Sequence, residues 1–184
     1  MIAQNQRFPD ALFKGFARYN RWMNDKLYAS TASLGDADRR RDLGAFFGSV
    51  HLTLTHLLIC DRAWLARLSG NRDAFVFCDA AGEHIAVAGL IQDVYPDFAQ
   101  LTAERCDTDQ RILAWVEKLG ATELDATVVY KDSRGNPYQH AMWWGLVHMF
   151  NHQTHHRGQV TTLLKQLGVD PGVTDLIAML RDEA

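Results

Sequence analysis

Trp143 to Gln159 reads WWGLVHMFNHQTHHRGQ. Four of the chain's eight histidines fall inside it: His148, His152, His155 and His156. No proline interrupts it. Met142, Leu146, Met149, Val160, Leu163, Leu164 and Leu167 recur at helical spacing along and beyond it, so the stretch reads as one long amphipathic helix. Residues four apart stand one turn apart on the same face. His152 and His156 therefore present two imidazoles to one point, the arrangement in which a helical HxxxH offers ligands to zinc. With His152 at zero and about 100° per residue, the apolar residues centre near about 80° and His156 falls near about 40°. His148 and His155 fall near about −40° and about −60°. The pair bordering the core face is thus His152 and His156, while His148 and His155 turn toward solvent or a neighbour. Two imidazoles hold a catalytic metal poorly, so a third ligand must come from elsewhere in the chain.

Upstream, Thr127-Val128-Val129-Tyr130, the polar run from Asp132 through Ser133 to Asn136, and Pro137-Tyr138 predict a small β-hairpin leading directly into this helix. Downstream, Gly168 and Pro171 stop it, and Thr174 to Arg181 predicts a short terminal helix. Three more long helices are predicted. Pro9 to Ser33 carries Phe13, Phe16, Met23 and Leu27 at helical spacing, with Pro9 and Asp10 suited to a first turn. Leu43 to Leu68 is apolar nearly all round, which places it inside its domain, and Gly70 with Asn71 ends it. Asp97 to Leu119 carries many charges and reads as the more exposed one. Arg39, Arg40 and Arg41 read as a solvated turn and helix start. Residues 71–92 form an irregular connection whose length suits a crossover, with Glu83 and His84 at its surface.

One domain spanning residues 1–184 is the expectation at this length. The 47% apolar share is enough to bury a core. A net charge of −3 favours neither nucleic acid nor an anionic membrane as partner. MIAQNQRFPD lacks the charged and apolar regions of a secretory leader, so none is expected. No apolar run reaches membrane-spanning length. Cys60, Cys78 and Cys106 are odd in number and lack CxxC spacing, which fits reduced thiols in a cytoplasm.

Two histidines lie in the second helix. His51 and His56 are about 140° apart on the wheel and cannot serve one site together. His56 is followed by Cys60 one turn on, then Asp61 and Trp64. In so apolar a helix its ring nitrogens need partners. A buried hydrogen bond to backbone or to an aspartate provides one, and a metal is the alternative.

Two segments resemble the DinB family of metal-binding helical bundles. One runs from His56 through Asp61 to Trp64 and Leu65. The other, Asn151 to Gln159, is similar to the family's NHxxHHRGQ, and Gly168, Pro171 and Asp175-Leu176 fit downstream. The resemblance implies an all-α fold: a four-helix bundle with a long crossover, a small hairpin before the last long helix and a short C-terminal helix. It implies a homodimer and a divalent metal, zinc or nickel, held by His56, His152 and His156. That replaces the hydrogen-bond reading of His56. Cys60 stands where a small apolar residue is expected, and a buried thiol serves that purpose.

Three neutral imidazoles leave a position open for water or a small-molecule substrate. No HExxH glutamate is present to act as a base. Metal activation of a low-molecular-weight thiol is therefore the first functional expectation, in keeping with thiol-using transferases and isomerases that the family resembles. Metal-assisted hydrolysis and a non-catalytic metal- or ligand-binding role are the alternatives. Arg157 falls toward the apolar side, where a buried guanidinium needs a carboxylate, and Asp61 is the expected partner. Gly158 is a candidate for close helix approach. Trp143, Trp144 and Tyr130 are expected in the core, with the wall of the site mouth as the alternative.

Overall fold

The computed structural model describes residues 10–132 and 134–182; the expected helix start at Pro9 and the turn residue Ser133 lie outside them. Four long helices dominate: α1 (Asp10–Ala32), α3 (Val50–Ser69), α4 (Phe98–Val116) and α6 (Met142–Gln166). Each packs on two others, α1 on α4 and α6, α3 on the same two, which closes a four-helix bundle. Shorter pieces complete it: α2 (Asp36–Arg40), a 3₁₀ turn at Arg72–Phe75, α5 (Ala121–Asp125) and α7 (Leu176–Asp182). The hairpin pairs β1 (Thr127–Lys131) with β2 (Pro137–Ala141) antiparallel, Thr127 opposite Ala141 and Lys131 opposite Pro137. Among the described residues no helix is long and apolar enough to cross a membrane.

The second long helix begins later than its apolar pattern indicated, at Val50 rather than Leu43. Residues 43–49 form a turn instead, closed by Leu43 N–H donating to the Gly48 carbonyl at 2.8 Å. Gly44 and Gly48 take φ of 70° and 75°, the left-handed region that interrupts a helix. Ser49 then caps α3, its hydroxyl accepting from Leu52 N–H at 3.2 Å. Phe46, counted in the apolar helix, stands 78% exposed on this turn. At the other end Gly70, φ 70°, terminates α3 as read.

The core divides into two apolar clusters. One gathers Met23, Leu27, Leu54, Leu58, Leu101 and Leu164 with the crossover residues Phe77, Val94 and Tyr95. The other gathers Phe13, Leu65, Leu68, Ile112, Leu146 and Met149. Between them in sequence on every long helix lie buried polar residues: Asn20 and Asn24, Asp61, Arg105 and Asp109, Gln153 and Arg157. Desolvating such groups is costly unless they satisfy one another. Arg105 donates to Asp61 at 2.8 Å and to Asp109 at 2.7 and 3.1 Å, and Asn24 donates to Asp109 at 3.0 Å. The expected exposure of the charged third helix therefore fails on its inner face: its charges are buried because they pair. The pairing of Arg157 with Asp61 is also corrected. Asp61 is taken by Arg105, and Arg157 donates to the Asn20 side chain on α1. Burial pushes the Arg157 guanidinium down to about 10.

Small residues matter at one crossing. A Cβ on Gly145 would lie 2.3 Å from Leu68 Cδ2, so α6 approaches α3 closely there. Gly158, the sequence candidate for such a role, meets nothing within 4 Å.

The crossover is pinned where it passes α3. His51, wholly buried, donates from Nε2 to Asp93 Oδ1 and the Tyr95 carbonyl, each at 3.0 Å. Arg40 of α2 holds the other Asp93 oxygen at 2.7 Å. Arg62 ties the start of the crossover to α4 through Val76 O and Thr108 Oγ1 at 3.1 and 2.8 Å. These straps hold the intervening residues 77–92 against α3 and bring the Leu90 carbonyl to His56.

Candidate metal centre

His152 and His156 sit one turn apart on α6, and His56 faces them from α3. Their three donor nitrogens lie within 4.8 Å of one another. His152 Nε2 is 3.4 Å from His56 Nε2 and 3.1 Å from His156 Nε2. The outer nitrogens fix the tautomers. His56 Nδ1 lies 2.9 Å from the Leu90 carbonyl, which only accepts, so Nδ1 carries the proton. His156 Nδ1 lies 2.7 Å from Gln159 Oε1 and donates likewise. Both inner Nε2 atoms are consequently lone pairs, aimed at a third nitrogen that can carry only one proton. Within the trio that one proton cannot serve both lone pairs; the Cys60 thiol, 3.5 Å from His56 Nε2, is a weak donor to one of them. A tetrahedral zinc with bonds of about 2.0–2.1 Å sets its ligand nitrogens roughly 3.3 Å apart. The two measured edges match that spacing, so the residues present fit a metal ion.

The electrostatics point the same way. Burial, then the neighbouring imidazoles of His156 and His56, pushes His152 down to about 3. Burial also holds His56 and His156 below the ordinary histidine range. All three are neutral at pH 7, the form that binds metal. Phe47 stacks on the His56 ring at 4.0 Å between centroids and meets His156 edge-on at 5.3 Å, closing one side of the group with hydrocarbon. Cys60 Sγ lies 3.5 Å from His56 Nε2 but outside the three-histidine group. Burial pushes its thiol up to about 12, so it stays protonated and apolar in character.

A sequence profile of the DinB family matches residues 3–183. The chain belongs to the DinB family. It is also similar to Protein DinB of Bacillus subtilis (strain 168), 23% identical over 168 residues, spanning 90% of this chain and 91% of that one. DinB family membership and the three-histidine group together fit a metal-binding protein.

The other sequence candidates scatter around this DinB centre. His148 and His155 are exposed, as the wheel indicated. His155 packs edge-on to His156, whereas His148 lies 4.5 Å from the Trp64 ring and 5.8 Å from His152. His51 belongs to the crossover strap, separate from His56. Glu83 and His84 are exposed. Tyr130 packs edge-on to Trp64 at 5.3 Å, and Trp143 is half-buried, but Trp144 is 54% exposed and lies outside the core. Sequence reading missed Gln159, Leu90 and Phe47. Gln159 was visible as an i, i+3 neighbour of His156. Leu90 acts through its backbone, so no side-chain pattern signals it. Phe47 was hidden inside an apolar run assigned to the helix.

Proposed function

We propose that this protein binds a divalent metal, zinc or nickel, through His56, His152 and His156. It uses the ion to activate a low-molecular-weight thiol for transfer to an electrophilic small molecule. The observation that carries the reading is the convergence of Nε2 atoms whose tautomers are set by Leu90 and Gln159. A three-histidine set leaves coordination open, whereas a purely structural zinc uses four protein ligands. When bound, such an ion lowers the pKa of a coordinated thiol and so supplies a nucleophile at neutral pH.

The chain's own residues favour thiol chemistry over hydrolysis. Among the described residues no carboxylate joins the histidine group, and the nearby Asp61 is occupied by Arg105. A dedicated base for water is therefore missing, while a thiol activated at the ion needs none. Phe47 shields one side from water, and Leu90 and Gln159 keep the imidazoles oriented. We place the protein in the cytoplasm as a homodimer acting on a small molecule, with light scattering in solution as the check on assembly.

Elemental analysis of protein purified without an affinity tag tests the site. About one metal per chain is expected in the parent and a loss of it in His56→Ala. Thiol-dependent turnover across a panel of electrophiles tests the chemistry. Turnover without added thiol would replace it with hydrolysis, and no turnover at all would leave a binding protein.

A further inference from the structure

A pocket of about 710 Å³ opens further along α3 from His56, between that helix, the crossover and the hairpin. Its floor is the stripe of α3 that continues from His56: Ala63, Arg67 and Gly70 follow His56 and Cys60 at spacings of three and four, which keeps them on one face. Leu90 forms part of its wall, and it is the Leu90 carbonyl that orients His56. The volume is that of an ordinary small-molecule site. Small residues leave the space open, and Val129, 69% exposed, stands at its hairpin side.

The charge in this pocket is one-sided. Arg67 and Arg72 line it, and no acidic residue does. Two buried arginines of the bundle pair with carboxylates, Arg105 with two aspartates and Arg62 with Glu104, and a third, Arg157, donates to Asn20. Among the described residues, Arg67 and Arg72 make no ion pair with a carboxylate. Instead, the Arg67 guanidinium lies 5.1 Å from the Trp64 ring and 5.6 Å from the Tyr130 ring. Two aromatic faces hold it in place and leave its N–H edge for a planar anion, which guanidinium binds in bidentate fashion. From Arg67, the contacts step through Trp64 and His148 to His152, with ring separations of 4.5 and 5.8 Å.

We infer that this pocket holds the carboxylate end of the substrate, with Arg67 as the anchor and Arg72 at the rim, while the reacting end lies at the histidine centre. The ligand class is a small, partly apolar molecule with a carboxylate at the end remote from its sulfur. This rests on the reading of the histidines as a metal site for thiols, and the test keeps the two apart.

Four probes suffice: octanoate, octanol, 8-mercaptooctanoate and 8-mercaptooctanol, titrated calorimetrically into the metal-loaded protein. The carboxylate is expected to improve binding about tenfold over the alcohol in both pairs, the scale of one hydrogen-bonded charge. Arg67→Gln is expected to reduce that preference below about twofold without weakening the alcohols. Arg67→Lys should retain part of it, and Arg72→Gln should diminish it less. Melting temperatures confirm that each variant is folded. Equal binding of acid and alcohol by the parent, or a preference that survives in the Arg67→Gln, Arg72→Gln double variant, overturns the anchor. A missing gain from sulfur, with the carboxylate preference intact, counts instead against the thiol reading alone.

Discussion

Arg105→Met tests the polar layer that joins the helices around the metal centre. The guanidinium is 2% exposed and meets Asp61 at 2.8 Å and Asp109 at 2.7 Å. Burial alone would lower its pKa, but Asp109 and Asp61 outweigh that and raise it. Methionine approximately refills the volume, so the cavity penalty is small and the loss is electrostatic. Removing one partner of a buried ion pair costs about 3–5 kcal/mol, because the other charge is left uncompensated. Here two carboxylates lose their shared cation, although Asp109 keeps its Asn20 and Asn24 donors. We expect a deficit of about 4 kcal/mol at pH 7. At an m-value of about 2 kcal/mol/M, that moves the urea midpoint by roughly 2 M. The pH dependence identifies the cause. Burial already holds Asp61 and Asp109 above the usual carboxylate range, and losing Arg105 raises them further. A carboxyl with a raised folded pKa takes up its proton first in the folded state, so acid stabilises the variant relative to the parent. The deficit should shrink by about 1 kcal/mol or more between pH 7 and pH 5. Both proteins are unfolded in chelator, so histidine protonation, common to the two, cancels. A deficit below about 1 kcal/mol, or one identical at both pH values, would refute the reasoning.

The histidine centre makes its own pH prediction. His56, His152 and His156 are held below the ordinary value, so on acidification the unfolded chain takes up protons first. Metal-free protein should keep full stability above about pH 6.5 and lose roughly 1 kcal/mol per pH unit below it, after discounting for partial solvent screening; thermal melts in chelator check this. His152, pushed down to about 3, should extend that loss to the acid end, and His152→Gln should flatten the slope. Gln159→Leu removes the acceptor that orients His156 and should weaken metal binding about 10–100-fold in a competition with a chromogenic chelator. Unchanged affinity would mean the tautomer is set otherwise. Two glycines of α6 should respond with opposite signs in thermal melts. Gly145→Ala meets Leu68 and should cost about 1–3 kcal/mol, whereas Gly158→Ala enters open space and should gain up to about 1 kcal/mol.

Legibility in this chain followed the range of the interactions. The α6 pair His152 and His156 was readable because one helix carries both, and periodicity alone sets their common face. The hairpin, the terminal helix and the Gly70 stop were readable for the same local reason. His56 was not: its helix is apolar all round, and a hydrogen bond explained it as well as a metal until the resemblance was drawn. In the structure its Nδ1 does make that hydrogen bond, to Leu90, and Nε2 is thereby freed for the centre. The two explanations were complementary, since each ring nitrogen has its own partner. Arg157 shows the opposite failure. Sequence chemistry correctly required a buried partner, but Arg105 on a third helix competed for Asp61 and prevailed. That exchange bears on the site. Asp61 lies five residues past His56 on α3, and Arg157 adjoins His156 on α6. Each ligand helix is thus tied to a different neighbour, α3 to α4 through Arg105 and α6 to α1 through Asn20. Sliding either ligand helix by one turn would strand a buried charge, so the polar layer fixes the height at which the three imidazoles meet.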